Sequence, residues 1–151
     1  MSLKLSTPFS AVDGSQKFTL GSTTPDHQGR EFIYLQGSDS VASYDVVVYN
    51  SAYLATKVAA GNRGQLAIAQ GAVVGNNFGW FQIKGLGTVE ANGAVAASTP
   101  LYLTTGSGNV DDAIGAGNLI IGMLTDTTGT AGAGQMHAML SYPFVGSITA
   151  A

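Results

Sequence analysis

The chain has 151 residues, enough for one domain with a real core. Charged residues make up 10% of it and the net charge is −3, against about 25% charged in ordinary globular proteins. The six basic residues (Lys4, Lys17, Arg30, Lys57, Arg63 and Lys84) are scattered and form no stripe for a phosphate backbone, which disfavours nucleic acid as a partner. There is no cysteine, so disulfides and thiolate metal sites are excluded. Met1–Pro8 lacks the apolar stretch of a secretory signal, and no apolar run approaches the length of a membrane span. A soluble protein synthesised in the cytoplasm, with no membrane partner, is expected. So sparse a charge suggests that much of the surface faces other protein.

Residues 1–30 are polar and rich in turn signals such as Asp13–Gly14, Thr24–Pro25–Asp26 and Gln28–Gly29. They predict an irregular N-terminal arm over residues 1–16, followed by a single β domain over 17–151 that opens with a short strand at Lys17–Leu20. Glu31–Gln36 is the first clear strand. Tyr44–Asn50 carries the β-branched run Val46–Val48 and predicts a second, with Leu54–Val58 continuing after a bend. Leu66 and Ile68 alternate with Ala67 and Ala69 in the next.

Gly79–Gly85 shows the plainest period-2 pattern: Phe81 and Ile83 point one way, and Trp80, Gln82 and Lys84 the other. Gly85 and Gly87 predict a bulge, a bend or a close backbone approach there. Ala91–Asn92–Gly93–Ala94 is the strongest hairpin signal, because Asn-Gly supplies the positive-φ pair of a type I′ turn. Pro100 opens a strand that Gly106–Asn109 closes, and Asp111–Ile114 predicts one helical turn capped by Asp111. In Asn118–Asp126, alternation places Leu119, Ile121 and Met123 on one face and Ile120 and Leu124 on the other. The last strand sets Met136, Ala138 and Leu140 against His137, Met139 and Ser141, and Pro143 is expected to end it before a tail. The fold class read from these elements is all-β, a small antiparallel barrel or sandwich with an irregular N-terminal arm.

Catalytic and metal chemistry has little to stand on. His27 sits in a Pro-Asp-His-Gln-Gly turn and reads as a surface residue. His137 reads as a half-buried or interface strand residue, with no second ligand at metal spacing. Asp111 and Asp112 are neighbours on an extended chain and point to opposite faces. No Gly-x-Ser-x-Gly elbow occurs, and Gly85–Leu86–Gly87 lacks the third glycine of a dinucleotide loop. The expectation is no enzyme, no cofactor and no metal. Trp80, flanked by Phe78 and Phe81, reads as core or subunit interface, with a sugar-stacking platform as the alternative.

Taken together, Gly79–Gly85, the Val89–Val95 segment, Thr99–Leu103, Ile121–Leu124 before a Gly/Ala loop and final strand, and the lead-in Gln28–Tyr34 resemble the head decoration, or capsid cement, proteins of tailed bacteriophages. The resemblance spans residues 18–143 and is one of strand and turn pattern. It implies a non-enzymatic virion protein on the outer capsid surface that bridges subunits of the major capsid protein. It also implies a homo-oligomer, a trimer in preference to a dimer. On that reading Phe9, Phe18 and Trp80 are the expected capsid or subunit contacts, the two phenylalanines as anchors of the arm. A carbohydrate- or receptor-binding β module of a phage fibre or secreted protein is the alternative, and it requires an exposed Trp80.

Overall fold

The computed structural model describes residues 9–38, 40–104, 108–114, 118–126, 129–130 and 132–146. The expected turn at Gly106–Ser107 and the tail beyond residue 146 lie outside them. The described chain is all-β. Its strands are β1 (Val12–Asp13), β2 (Thr23–Pro25), β3 (Glu31–Gly37), β4 (Val46–Tyr49), β5 (Leu54–Lys57), β6 (Gly64–Ala69), β7 (Phe78–Ala91), β8 (Pro100–Leu103), β9 (Val110–Asp111), β10 (Leu119–Thr125) and β11 (Gly134–Val145).

β7 is the spine. Its first half pairs antiparallel with β3, from Gln36 opposite Phe78 to Glu31 opposite Lys84, and on its other edge with β6 and β1. Its second half pairs with β11, from Ser141 opposite Lys84 to Gly134 opposite Ala91. Two large circuits of paired strands close through β7, and the β6–β11 pairing joins them. One circuit runs β7–β3–β5–β4–β6 and the other β7–β9–β8–β10–β11. The result is one large sheet rolled into a layered, sandwich-like body rather than a single clean barrel. Pairing is mixed, since β3–β5 and β7–β9 are parallel. The expected all-antiparallel pairing fails at β3–β5 because β4 fills the connection between them and supplies the length a parallel return needs.

Two cores follow from the alternation. Val46, Leu66 and Ile68 enter one with Val89, Leu101, Leu103, Ile120, Met136 and Leu140. Val47, Ala67 and Ala69 enter the other with Ile33, Leu35, Phe81 and Ile83. β4 and β6 are walls shared by both cores, which is why their sequences read as unbroken apolar runs rather than as polar–apolar alternation.

Several local expectations give way to long-range partners. Lys17–Leu20 is not a strand; the early strands are Val12–Asp13, laid on β7, and Thr23–Pro25, laid on β3. Asn92–Gly93 does not form the hairpin. Neither residue has positive φ; the Asn92 N–H donates to the Val110 carbonyl, and Val95 bridges Thr130 instead. Asp111 belongs to β9 rather than capping a helix.

The alternation expected in β10 breaks at Gly122, whose φ is +83°. Ile121 faces Phe144 and Met123 faces Leu140, so one β10 residue opposes three on β11 between these pairs. A Cβ on Gly122 would lie 2.6 Å from the Ser141 carbonyl oxygen, a close approach only glycine allows. The bulge puts Ile120 and Met123 together in the core and leaves Ile121 and Leu124 outside. Pro143 sits inside the same irregularity, where no ladder N–H is required, and β11 runs on to Val145 instead of ending there.

Candidate functional site

Two outer apolar faces stand out, one sealed and one open. The sealed face lies over β3 and the start of β7, where Phe32, Tyr34 and Trp80 point away from the core of Phe81 and Ile83. Phe9 stacks on Phe32 with ring centroids 3.8 Å apart and meets Trp80 edge-on at 5.9 Å. Phe18 lies 5.2 Å from Tyr34 and 5.3 Å from Trp80. The structure therefore brings together all three residues expected as external contacts. Phe9 and Phe18 are half-buried, and Trp80 is only 3% exposed. A flat sugar platform on Trp80 is closed off by Phe9 and Phe18. Aromatic pairs of this geometry add about 0.5–1.5 kcal/mol each beyond simple burial.

A polar clasp holds the cover down. The buried Tyr34 hydroxyl donates to Asp13 Oδ2 at 2.8 Å and accepts from the Lys17 backbone N–H at 3.3 Å. Lys17 Nζ pairs with Asp13 Oδ1 at 2.8 Å. Burial pushes the Tyr34 hydroxyl up to about 12; the Lys17 N–H opposes this and the Asp13 carboxylate adds to it. At the far end of β3, Arg30 Nε meets Asp26 Oδ2 at 2.7 Å. Burial pushes the Asp26 carboxyl up, but hydrogen bonds from the Arg30 side chain and from the Arg30 and Gln28 backbone, with the Arg30 charge, hold it below its usual value.

The open face lies on the outside of β10 and β11. Ile121, Leu124, Met139 and Phe144 are each between 43% and 49% exposed. Leu124 is directly opposite Met139, Ile121 is opposite Phe144, and Leu86 of β7 is opposite Met139, so the side chains form one continuous apolar strip. A shallow groove runs along part of it, lined by Ile121, Leu124 and Met139 of the strip together with Pro100, Leu119 and Ser141. Among the described residues no charged side chain lines the groove. Sequence reading missed this face because it placed Ile121 with Met123. The available signals were Met139 on the otherwise polar side of β11 and Phe144 beyond Pro143.

His27 is exposed in its turn, and His137 is exposed on β11. Among the described residues no group of three His, Asp or Glu side chains is placed to hold a metal ion.

No protein-family model matches the chain, and no curated protein matches it. Among solved structures, it is similar in fold to the crystal structure of the head fiber gp8.5 N base in bacteriophage phi29. That likeness has a TM-score of 0.56 and 10% sequence identity, and covers 77% of this chain and 98% of that one.

Proposed function

We propose that this chain is a non-enzymatic structural protein of a phage virion, placed on the outer capsid surface, where it bridges subunits of the major capsid protein. It acts as a homo-oligomer, a trimer in preference to a dimer. The observation that carries the reading is the open face of β10 and β11. A continuous apolar strip of this kind on a soluble domain marks a protein contact, and the occupant proposed is a second copy of this chain. Each copy has a net charge of −3, so copies meet most readily where neither presents charge. The uncharged strip meets that condition. The fold likeness to a phage head fiber base and the 10% charged content support a place in a repeating shell, where many copies turn modest contacts into avidity.

The test is the mass of the purified protein together with sedimentation against undecorated phage heads. A discrete oligomer that co-sediments and saturates at fixed stoichiometry is the expected outcome. A monomer that leaves the heads bare would overturn the proposal.

A further inference from the structure

A polar hollow of about 470 Å³ opens beside β6, β7 and β11, sharing Leu86 with the edge of the open apolar strip. Its floor is Gln82, which is 1% exposed. Buried amides at such positions are normally spent on the protein's own hydrogen bonds. Gln82 spends only part of its capacity: Nε2 donates to the Lys84 carbonyl at 3.0 Å, and Oε1 has no partner among the described residues. That oxygen lies against the bare backbone of Gly87, where a Cβ would come within 2.8 Å of it, and Gly87 lines the same hollow.

Gln70 repeats the arrangement. Its Nε2 donates to the Ile68 carbonyl at 3.0 Å, and Ile68 is the residue directly opposite Gln82. Two neighbouring amides are thus each pinned by one N–H, with an acceptor oxygen and a second N–H left over. Pinning fixes their planes before anything binds, which lowers the ordering cost of binding.

The rest of the lining fits the same ligand chemistry. Tyr44 stands in the hollow on a backbone with φ +70°, a conformation costly for a bulky side chain and often associated with binding sites. That backbone is held on both sides, by the Tyr44 N–H to the Ala69 carbonyl at 2.8 Å and by the Glu90 N–H to the Tyr44 carbonyl at 3.2 Å. Leu86 offers an exposed apolar surface, and His137 an exposed imidazole. Among the described residues Arg30 is the only formally charged side chain in the lining, and its charge is already met by Asp26.

We propose that this hollow binds a neutral saccharide. Gln70, Gln82, Arg30 and His137 take the hydroxyls, and Tyr44 and Leu86 take an apolar ring face. Planar amides offer a donor and an acceptor side by side, the match for vicinal hydroxyls. The neutralised Arg30 leaves no unpaired cation to favour an anionic sugar or a phosphate. A second polar hollow, lined by Gln135 and Gly129, adjoins across Thr88 and His137, giving room for more than one sugar unit. The proposal does not rest on the assembly reading: the hollow shares Leu86 with the open strip, but Gln70, Gln82, Arg30 and His137, which take the hydroxyls, are not strip residues.

The test is saturation-transfer NMR on the full chain with maltotriose, cellotriose and N,N′,N″-triacetylchitotriose, and with sialyllactose as the charged comparison. At least one neutral trisaccharide is expected to receive transfer with a Kd of about 1 mM or tighter, weakened about tenfold by His137→Ala and by Gln70→Ala. Gln82→Met should abolish it. His137 is exposed, so His137→Ala keeps the test decisive should Gln82→Met fail to fold. Leu124→Lys, on the open apolar strip, should leave binding intact. Absence of transfer from all three neutral sugars at about 10 mM, binding indifferent to His137→Ala and Gln70→Ala, or a preference for sialyllactose would each overturn the proposal.

Discussion

The two outer apolar faces are built alike and finished differently. Over β3 and β7, Phe32, Tyr34 and Trp80 are roofed by Phe9 and Phe18 from the same chain. Over β10 and β11, Ile121, Leu124, Met139 and Phe144 face outward with nothing from the described chain above them. The first face shows what covering such a surface takes in this protein: two aromatic side chains, a short strand on the edge of β7, and a clasp of Asp13, Tyr34 and Lys17. The second has the apolar strip without the cover. In the proposed oligomer, a neighbouring copy takes the covering role.

The comparison breaks most sharply at Trp80. Trp80→Ala empties the centre of the sealed face and should lower the unfolding free energy by about 3–5 kcal/mol, read by chemical denaturation. A much smaller loss would mean that the roof is not integral to the domain. Next in size is Gly122→Ala, which places a methyl against the Ser141 carbonyl on a positive-φ backbone. It should cost about 2–3 kcal/mol and disturb the open face, because the bulge is what turns Ile121 and Leu124 outward.

Tyr34→Phe should cost about 1–2 kcal/mol at neutral pH by leaving Asp13 one partner short. Its pH dependence is more telling. Tyr34 ordinarily ionises near 10.0 and in the fold near about 12. The folded chain therefore holds this proton more tightly than the unfolded one. The associated stability is fully present below pH 10.0 and is lost as pH rises through about 12. Denaturation at stepped alkaline pH should show that loss in the wild type and a shallower one in Tyr34→Phe. The smallest effect on stability belongs to the open face, where Leu124→Lys should change the folding of an isolated chain by no more than about 0.5 kcal/mol.

Strand content was legible in this sequence where alternation was clean. Phe81 and Ile83 against Trp80, and Met136, Ala138 and Leu140 against His137 and Met139, lie as their spacing indicates. The failures share a cause. Asn92–Gly93 carries a strong local turn signal, but the carbonyl of Val110 and the bridge to Thr130 claim the chain first. Gly122 gives no sign from its neighbours that it opposes Ser141–Pro143, so the face of Ile121 could not be read. The two ring closures depend on partners far apart in sequence, such as Ala91 with Val110, and no local pattern encodes them. Trp80, Phe9 and Phe18 were identifiable as important apolar residues, but their meeting in one cluster is a product of tertiary packing. The amides of the polar hollow looked like ordinary strand polar residues until β6 was laid beside β7.

The most direct test of self-association through the open face is the solution mass of the wild type beside the double variant Leu124→Lys, Met139→Lys, by light scattering coupled to size exclusion. A discrete oligomer is predicted for the wild type and a folded monomer for the variant, with unchanged far-ultraviolet circular dichroism. Equal masses for the two proteins would contradict that prediction and leave the open face without a part in assembly.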